Sequence, residues 1–355
     1  MKPANTRPVL TRSAREPICH RMPPEPRANP RLIGQGAAEA ALTEAARRGR
    51  LAHAWLLTGP PGLGKATLAF RFARRLLAGA TAERAATDPE HPVFRRVAAG
   101  THADLLTVER EWDERRRRLR GEIVVDDVRA IAGFLRLTPA EGGWRVVVVD
   151  GAEELNRNAA NALLKVLEEP PPRAVLLLVS AAPGRLLPTI RSRCRQLRLQ
   201  PLVPDDMAAV LEGYLPDLSR GDRDRLIRMA DGSPGRALQL AAEEGVAVAA
   251  LVDEVLGELP RMTMARAHAV ADALGRSDGG FETFMDLLRD SVGAAIRHAA
   301  RGSADAAEAR LAALRPLAAW SDVWHALGHL QDETERFHLD KRQAIVSGLS
   351  LLGSE

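Results

Sequence analysis

The sequence predicts an α/β domain built on a parallel sheet and followed by two helical units. Short segments rich in Val and Leu alternate with helical patterns between about residues 50 and 200. Strands that are apolar throughout, rather than at every second residue, are typical of parallel sheets with helices on both faces. Beyond the segment 200–206 the strand pattern ends, and apolar residues recur at helical spacing.

Five segments have the strand pattern, and helical segments separate them. The strands are predicted at 53–58, 104–109, 144–150, 174–180 and 194–200. One helix illustrates the pattern, because Asn156 or Asn158 can cap its beginning and the prolines at 170–172 end it. Its apolar stripe, at the spacing i, i+3, i+4 and i+7, consists of Ala160, Leu163, Leu164 and Leu167.

The chain is predicted to have four parts. Residues 1–30 are rich in Arg and Pro, so we expect a mostly disordered tail, with a transit peptide as the alternative. The α/β domain is expected over 31–203 and a small helical lid over 204–245. Residues 246–355 form the predicted all-helical C-terminal domain.

The composition is that of a cytoplasmic globular protein. Hydrophobic residues make up 46% of the 355, which is enough for a full core. No apolar run reaches the roughly 18 residues of a membrane span, and no secretory signal is visible. Cys19 and Cys194 are too few for a disulfide framework, so a reducing cytoplasm is the expected location. The net charge of +4 permits contact with DNA without predicting it.

The segment TGPPGLGKAT fits a phosphate-binding loop in which one residue is changed. Gly and Lys occupy the fixed positions of G-x-x-x-x-G-K-[ST], but Ala66 stands where Ser or Thr would offer a hydroxyl to Mg²⁺. A predicted strand precedes the segment and a helix follows it, so backbone amides can face phosphate oxygens. The alternative is a loop kept only for packing. The predicted nucleotide-binding residues are Gly59, Pro60, Pro61, Gly62, Leu63, Gly64, Lys65, Ala66 and Thr67.

The strand end VVVVDG is the predicted second half of the nucleotide site. Asp150 is expected near the metal position, although a capping or turn residue is the alternative. Many ATPases of this type place the carboxylate that activates water directly after this Asp, and here that residue is Gly151. Glu153 and Glu154 are nearby but are expected to point elsewhere. Since the loop also lacks its hydroxyl, we predict negligible ATP hydrolysis.

Two arginines stand at informative positions in the sequence. Arg193, in RLLPTIRSRCR, lies just before the last predicted strand and is expected at the rim of the domain. Arg236 lies in the first turn of a helix that Ser233 can cap, with Pro234 at its first position. A lid arginine at this position can reach the phosphates of a nucleotide. For each arginine the alternative is a solvated surface residue.

Together these motifs resemble the AAA+ clamp-loader subunits, and among them the delta-prime family of bacterial DNA polymerase III. The helical segment 246–355 then corresponds to the collar through which such subunits assemble. Five segments carry the resemblance in the expected order: LIGQ (32–35), AHAWLLTGPPGLGKATLA (52–69), NAANALLKVLEEPP (158–171), RLLPTIRSRCR (185–195) and GSPGRAL (232–238).

The resemblance implies roles for several polar residues. Arg193, in the S-R-C motif, is implied to be an arginine finger that acts in trans on ATP of a neighbouring motor subunit. Its guanidinium is always charged and can stabilise charge on a transferring phosphoryl group. Cys194 is then a small buried residue. Ser180 matches a polar sensor position of the domain, and Arg236 matches the sensor arginine of the lid.

Many members of this family carry a four-cysteine zinc module between the loop helix and the second strand. The corresponding segment 78–106 contains no cysteine. His91 and His102 alone do not make a zinc site, so no zinc and no other metal site is expected.

The resemblance implies a stator-like subunit that can hold ATP without hydrolysing it and has no polymerase activity of its own. Its implied partners are the delta and gamma/tau subunits of a hetero-oligomeric ring in the DNA polymerase III holoenzyme. This ring loads the beta sliding clamp onto primed DNA during replication. Two alternatives remain open. One is an ATP-hydrolysing motor subunit, and the other is a P-loop small-molecule kinase, in which the lid and the S-R-C motif have no obvious role.

Overall fold

The computed structural model describes residues 23–79, 83–114, 117–141, 143–242, 245–275 and 279–353. Its strands are β1 (Ala54–Thr58), β2 (Leu105–Val108), β3 (Trp112–Asp113), β4 (Arg118–Leu119), β5 (Arg145–Asp150), β6 (Ala174–Ser180) and β7 (Arg195–Arg198). Five strands form one parallel sheet in the order β2-β5-β6-β1-β7, and β3 and β4 form a separate antiparallel hairpin. The predicted fold class and the five predicted strands are thereby confirmed.

Helices cover both faces of the sheet. Those of the α/β part are α1 (Gly36–Arg47), α2 (Lys65–Leu77), α3 (Glu83–Thr87), α4 (Pro92–Ala98), α5 (Val125–Arg136), α6 (Arg157–Glu168) and α7 (Pro188–Arg193). Short 3-10 helices occur at Pro26–Ala28, Ala152–Glu154 and Pro183–Arg185. The side chain of Asn156 caps α6 by accepting a 2.9 Å hydrogen bond from the amide of Ala159, so Asn156 and not Asn158 is the cap.

The apolar runs of the strands have a direct structural explanation. Successive side chains of a strand point to opposite faces of the sheet, and both faces are covered here. In β5, Val146 and Val148 pack with α2 on one face, whereas Val147 and Val149 pack with α5 and α6 on the other. All four are fully buried, which is why no polar residue alternates with them.

The described chain after β7 is helical. Its helices are α8 (Pro204–Tyr214), α9 (Arg220–Met229), α10 (Pro234–Ala242), α11 (Gly245–Glu258), α12 (Met264–Leu274), α13 (Gly280–Arg301), α14 (Ala306–Ala312), α15 (Leu317–Phe337) and α16 (Lys341–Gly353). One apolar cluster joins Leu211 in α8 to Val252 in α11 and Phe284 in α13. The boundary predicted at residue 245 falls within the helices that share this cluster, and it stays a prediction. Across the described ranges, every helix is too short or too polar to cross a membrane.

The segment before α1 packs against the α/β part. The buried guanidinium of Arg74 in α2 donates to the carbonyl oxygens of Arg27 (2.8 Å) and Asn29 (2.9 Å). A buried guanidinium needs such acceptors, and they fix the backbone of these residues. The tail predicted over 1–30 therefore extends too far. The prediction for residues 1–22 lies outside the described residues.

Candidate nucleotide-binding site

The phosphate-binding motif connects β1 to α2 at the carboxyl edge of the sheet. Gly64 caps α2, and both Gly62 and Gly64 have positive φ angles, 77° and 82°. In the sheet, Thr58 at the end of β1 is in register with Ser180 at the end of β6. Asp150 ends the neighbouring strand β5, next to Val179 of β6. The fold therefore brings the loop, Asp150 and Ser180 to the same edge, where α/β proteins bind ligands.

The ammonium group of Lys65 is folded back onto the loop. It donates to the carbonyl oxygens of Gly59 (2.8 Å) and Pro60 (2.6 Å). Burial lowers the pKa of Lys65, while the charges of Glu153 and Asp150 act in the opposite direction. The loop thus encloses the positive charge of Lys65, and this charge would attract phosphate oxygens.

Acidic side chains surround the end of β5. Burial, followed by the charge of Glu109, raises the pKa of Asp150 to about 6. Glu153 accepts hydrogen bonds from the amides of Ala181 (2.7 Å) and Ala182 (3.2 Å), just beyond β6. Glu154 forms an ion pair with Arg110 at 2.5 Å. Both glutamates are thus engaged with groups outside the phosphate loop.

A cavity of about 450 Å³ lies beside the loop, within the size range of small-molecule sites. Among the predicted nucleotide-binding residues, those that line it are Gly62, Leu63, Gly64, Lys65, Ala66, Thr67 and Asp150. Those that do not are Gly59, Pro60, Pro61, Ser180 and Arg236. The remaining lining comes from the segment before α1, from β6 and from the lid helices: Pro23, Pro24, Glu25, Pro26, Asn29, Arg31, Leu32, Ile33, Val179, Val210, Tyr214, Pro234, Gly235 and Leu238.

Helix α10 of the lid sits directly on the phosphate loop. The hydroxyl of Ser233 donates to the carbonyl oxygen of Pro61 (2.8 Å), and the amide of Gly235 donates to that of Gly62 (3.0 Å). A Cβ atom on Gly235 would lie 2.7 Å from the Cα atom of Gly62. The lid is therefore fixed to the loop by one side-chain hydroxyl and one backbone amide.

The side chain of Arg236 points away from this contact. Its guanidinium forms an ion pair with Asp290 of α13, and it lines a second cavity between the lid and the C-terminal helices. Burial lowers the pKa of Arg236, while Asp286 and Asp231 offset part of this effect. Acidic groups of the C-terminal helices thus attract this guanidinium, and the expected contact of Arg236 with the phosphates of a nucleotide stays a prediction.

Arg193 is the last residue of α7, and its side chain is exposed. Its Nη1 atom donates to the carbonyl oxygen of Thr189 (3.0 Å), and its Nη2 atom lies 2.9 Å from a carboxylate oxygen of Glu168. The adjacent Cys194 is buried, and burial raises its pKa to about 11. Its thiol therefore stays protonated at neutral pH, as suits a small buried residue.

Residues 34–203, which contain the loop, Asp150 and Arg193, match the family model described as DNA polymerase III, delta subunit. Over these residues the chain is similar to that family. A delta-prime subunit of DNA polymerase III from Pseudomonas aeruginosa is 43% identical over 196 residues, 54% of this chain and 57% of that protein. The resemblance to delta-prime subunits is thus confirmed for this part of the chain.

One further relative extends the sequence likeness beyond this domain. A tau subunit of DNA polymerase III from Salmonella typhimurium is 30% identical over 278 residues, 75% of this chain and 40% of that protein. A solved gamma-subunit-related protein of Thermotoga maritima is 17% identical, with a TM-score of 0.43 over 88% of this chain and 98% of its own. The chain spans about half the length of the curated relatives it matches.

The two histidines of the segment 78–106 have structural partners. Nδ1 of His91 accepts the amide of Val93 and caps α4, and Nδ1 of His102 accepts the amide of Asp104. Over the part of the chain that the structure describes, His, Cys, Asp and Glu form no group of three or more that could hold a metal ion.

Sequence reasoning missed the contact between the lid and the phosphate loop. A glycine in the first turn of a helix disfavours helix formation, so Gly235 was a signal of close backbone approach. Reasoning from the sequence also placed residues 23–30 in a tail, whereas Pro23–Pro26 line the cavity. That arrangement depends on Arg74, which lies 45 residues from Asn29 in the sequence.

Proposed function

We propose that this chain is a delta-prime-type, stator-like subunit of a DNA polymerase III clamp loader. It holds a nucleotide without hydrolysing it and supplies Arg193 to the ATP of a neighbouring subunit. The observation that carries the proposal is the position of Arg193, whose side chain is 37% exposed at the end of α7. An arginine at such a rim can reach across a subunit interface.

The residues around the loop fit the phosphates of a nucleotide. Lys65 is buried, yet within the described chain its ammonium group donates to two neutral carbonyl oxygens. A phosphate can replace them with stronger, charge-assisted bonds. The loop residues and Asp150 would hold the nucleotide, but Ala66 offers no oxygen to a cation. The site therefore fits a bound nucleotide better than it fits a hydrolytic metal centre.

Two features support the absence of hydrolysis. Gly151 provides no side chain where a carboxylate would activate water, and Glu153 and Glu154 are engaged by backbone amides and by Arg110. The isolated chain with ATP and Mg²⁺ should therefore release phosphate no faster than a Lys65→Ala control. Turnover that Lys65→Ala abolishes would instead favour the ATP-hydrolysing motor subunit.

The finger acts through electrostatics. During hydrolysis a water oxygen bonds to the γ-phosphorus while the bond to the bridging oxygen breaks, and the γ-phosphoryl oxygens share the charge. A guanidinium aimed at these oxygens stabilises that charge distribution and lowers the barrier. We propose that the neighbour is a gamma/tau-type subunit. The ring also contains a delta subunit, and the beta clamp and primed DNA are its targets.

Arg193→Ala in a reconstituted loader tests this function. The variant should fold and assemble normally, while clamp-stimulated ATP hydrolysis by the motor subunits falls by roughly tenfold or more. The matched control is Arg50→Ala, at an exposed arginine that follows α1. If Arg193→Ala and Arg50→Ala loaders hydrolyse ATP at the wild-type rate, the finger role is wrong.

A further inference from the structure

We propose that Glu168 is a positioning residue that orients Arg193 toward the phosphates of the neighbouring subunit. This inference rests on the proposed function of Arg193 as a finger. Glu168 is the last residue of α6, and α6 packs against α7, which ends at Arg193. The two side chains meet at the rim of the domain as an ion pair of 2.9 Å.

The geometry fixes the plane of the guanidinium. Nη1 is bound to the carbonyl oxygen of Thr189 within α7, and Nη2 is bound to Glu168 on a different helix. An arginine side chain otherwise has many rotamers, so a single acceptor on its own helix would leave the head free to rotate. Two acceptors on separate elements select one orientation. The guanidinium has five N–H groups, so others remain for a phosphate.

Glu168 is poorly placed for the stability of its own helix. The carboxyl end of a helix carries partial negative charge, and a carboxylate in the last turn is therefore unfavourable. Half of the Glu168 side chain is exposed (50%), so the pair is too solvated to add much to folding stability. Pairing with Arg193 gives this glutamate a role that helix formation does not.

Helix α6 also connects the sheet edge that carries Asp150 to the rim that carries Arg193. It follows β5 and Asp150, is capped by Asn156, and runs for 12 residues to Glu168. At 1.5 Å per residue this is about 18 Å. The orientation of Arg193 is thus tied, through one rigid helix, to the edge of the sheet that carries this chain's own nucleotide site.

The test uses a loader reconstituted with Glu168→Ala, Glu168→Gln, Arg193→Ala or the control Glu169→Ala, at the exposed glutamate next in sequence. Glu168→Ala should lower the kcat of clamp-stimulated ATP hydrolysis roughly three- to tenfold with KM for ATP unchanged, because the finger is misoriented. Glu168→Gln keeps a hydrogen-bond acceptor and should restore most of the rate. Glu169→Ala should match the wild type. All variants should retain the wild-type melting temperature and assemble.

The outcomes separate this inference from the proposed function. If Arg193→Ala slows hydrolysis while Glu168→Ala leaves kcat unchanged or raises it, the positioning role of Glu168 is wrong. The proposed role of Arg193 as a finger is then still supported. If Glu168→Gln is as slow as Glu168→Ala, hydrogen bonding alone does not position the finger and the proposal fails in this form. If Arg193→Ala itself has no effect on hydrolysis, the finger role of Arg193 is wrong. The positioning role of Glu168 is then wrong as well, because it depends on the finger role.

Discussion

The amide of Gly235, in the first turn of α10, donates a 3.0 Å hydrogen bond to the carbonyl oxygen of Gly62 in the phosphate loop. The two backbones approach so closely that a Cβ atom on Gly235 would lie 2.7 Å from the Cα atom of Gly62. Ser233 adds a second bond to the loop, at Pro61. Any displacement of the lid must therefore break bonds to the loop that would hold phosphates.

Gly235→Ala should destabilise the protein by about 1–3 kcal/mol, because the added methyl group has no space against the loop backbone. The control is Gly221→Ala in α9, where a Cβ atom would meet nothing within 4 Å. This change should stabilise by about 0.5–1 kcal/mol, since Ala favours a helix more than Gly does. Urea unfolding measures both. If the two substitutions stabilise the protein equally, the backbones of Gly235 and Gly62 are not in close contact.

The sheet could be predicted from the sequence because burial on both faces leaves a strong local signal. The runs in β5 and β6 are entirely apolar, and each lies next to turn residues that limit it. The hairpin of β3 and β4 gave no such signal. Its two-residue strands contain Trp112, Asp113, Arg118 and Leu119, and charged residues surround them. A segment of this composition has the pattern of a loop.

The candidate site could be predicted only in part. The loop and Asp150 lie at strand ends, so strand order alone brings them together. The direction of Arg236 depends instead on Asp290, which is 54 residues away on α13. How α13 packs against the lid is decided by a shared apolar cluster, and no local pattern encodes it.

Lys65→Ala should separate nucleotide binding from the function of the loader. Removal of the ammonium group that the loop holds should weaken nucleotide binding by the isolated chain roughly 10- to 100-fold, since a charge-assisted bond to phosphate is lost. Fluorescent-nucleotide titration measures this loss. Clamp-stimulated ATP hydrolysis by the assembled loader should change less than about twofold. A loader that Lys65→Ala inactivates would mean that hydrolysis at this chain's own site is required.

Gly151→Glu should not create an ATPase. Gly151 has a φ of 80°, a left-handed conformation that is strained for other residues, and its Cβ would lie 2.9 Å from Oε2 of Glu154. The substitution should cost about 1–3 kcal/mol of stability and leave phosphate release at background. Gly184→Ala, at a site with nothing within 4 Å, should change stability by less than about 0.5 kcal/mol. Multiple turnovers by Gly151→Glu would show that the missing carboxylate alone prevents hydrolysis, and that neither Ala66 nor the backbone strain at position 151 does.

Asp150→Asn should increase stability at neutral pH and not at acidic pH. The pKa of Asp150 is raised from 3.8 to about 6, so the folded protein holds this proton more tightly than the unfolded chain does. The stability gained from the protonated group is fully present below about pH 4 and is lost as the pH rises through about 6. Asparagine has no charge to bury, so near pH 7.5 the variant should be more stable by up to about 3 kcal/mol. Near pH 4 it should equal the wild type, because Asp150 is then neutral in the folded state. Thermal unfolding of both proteins across this range measures the difference, and a gain that is constant with pH would show that ionisation of Asp150 is not its cause.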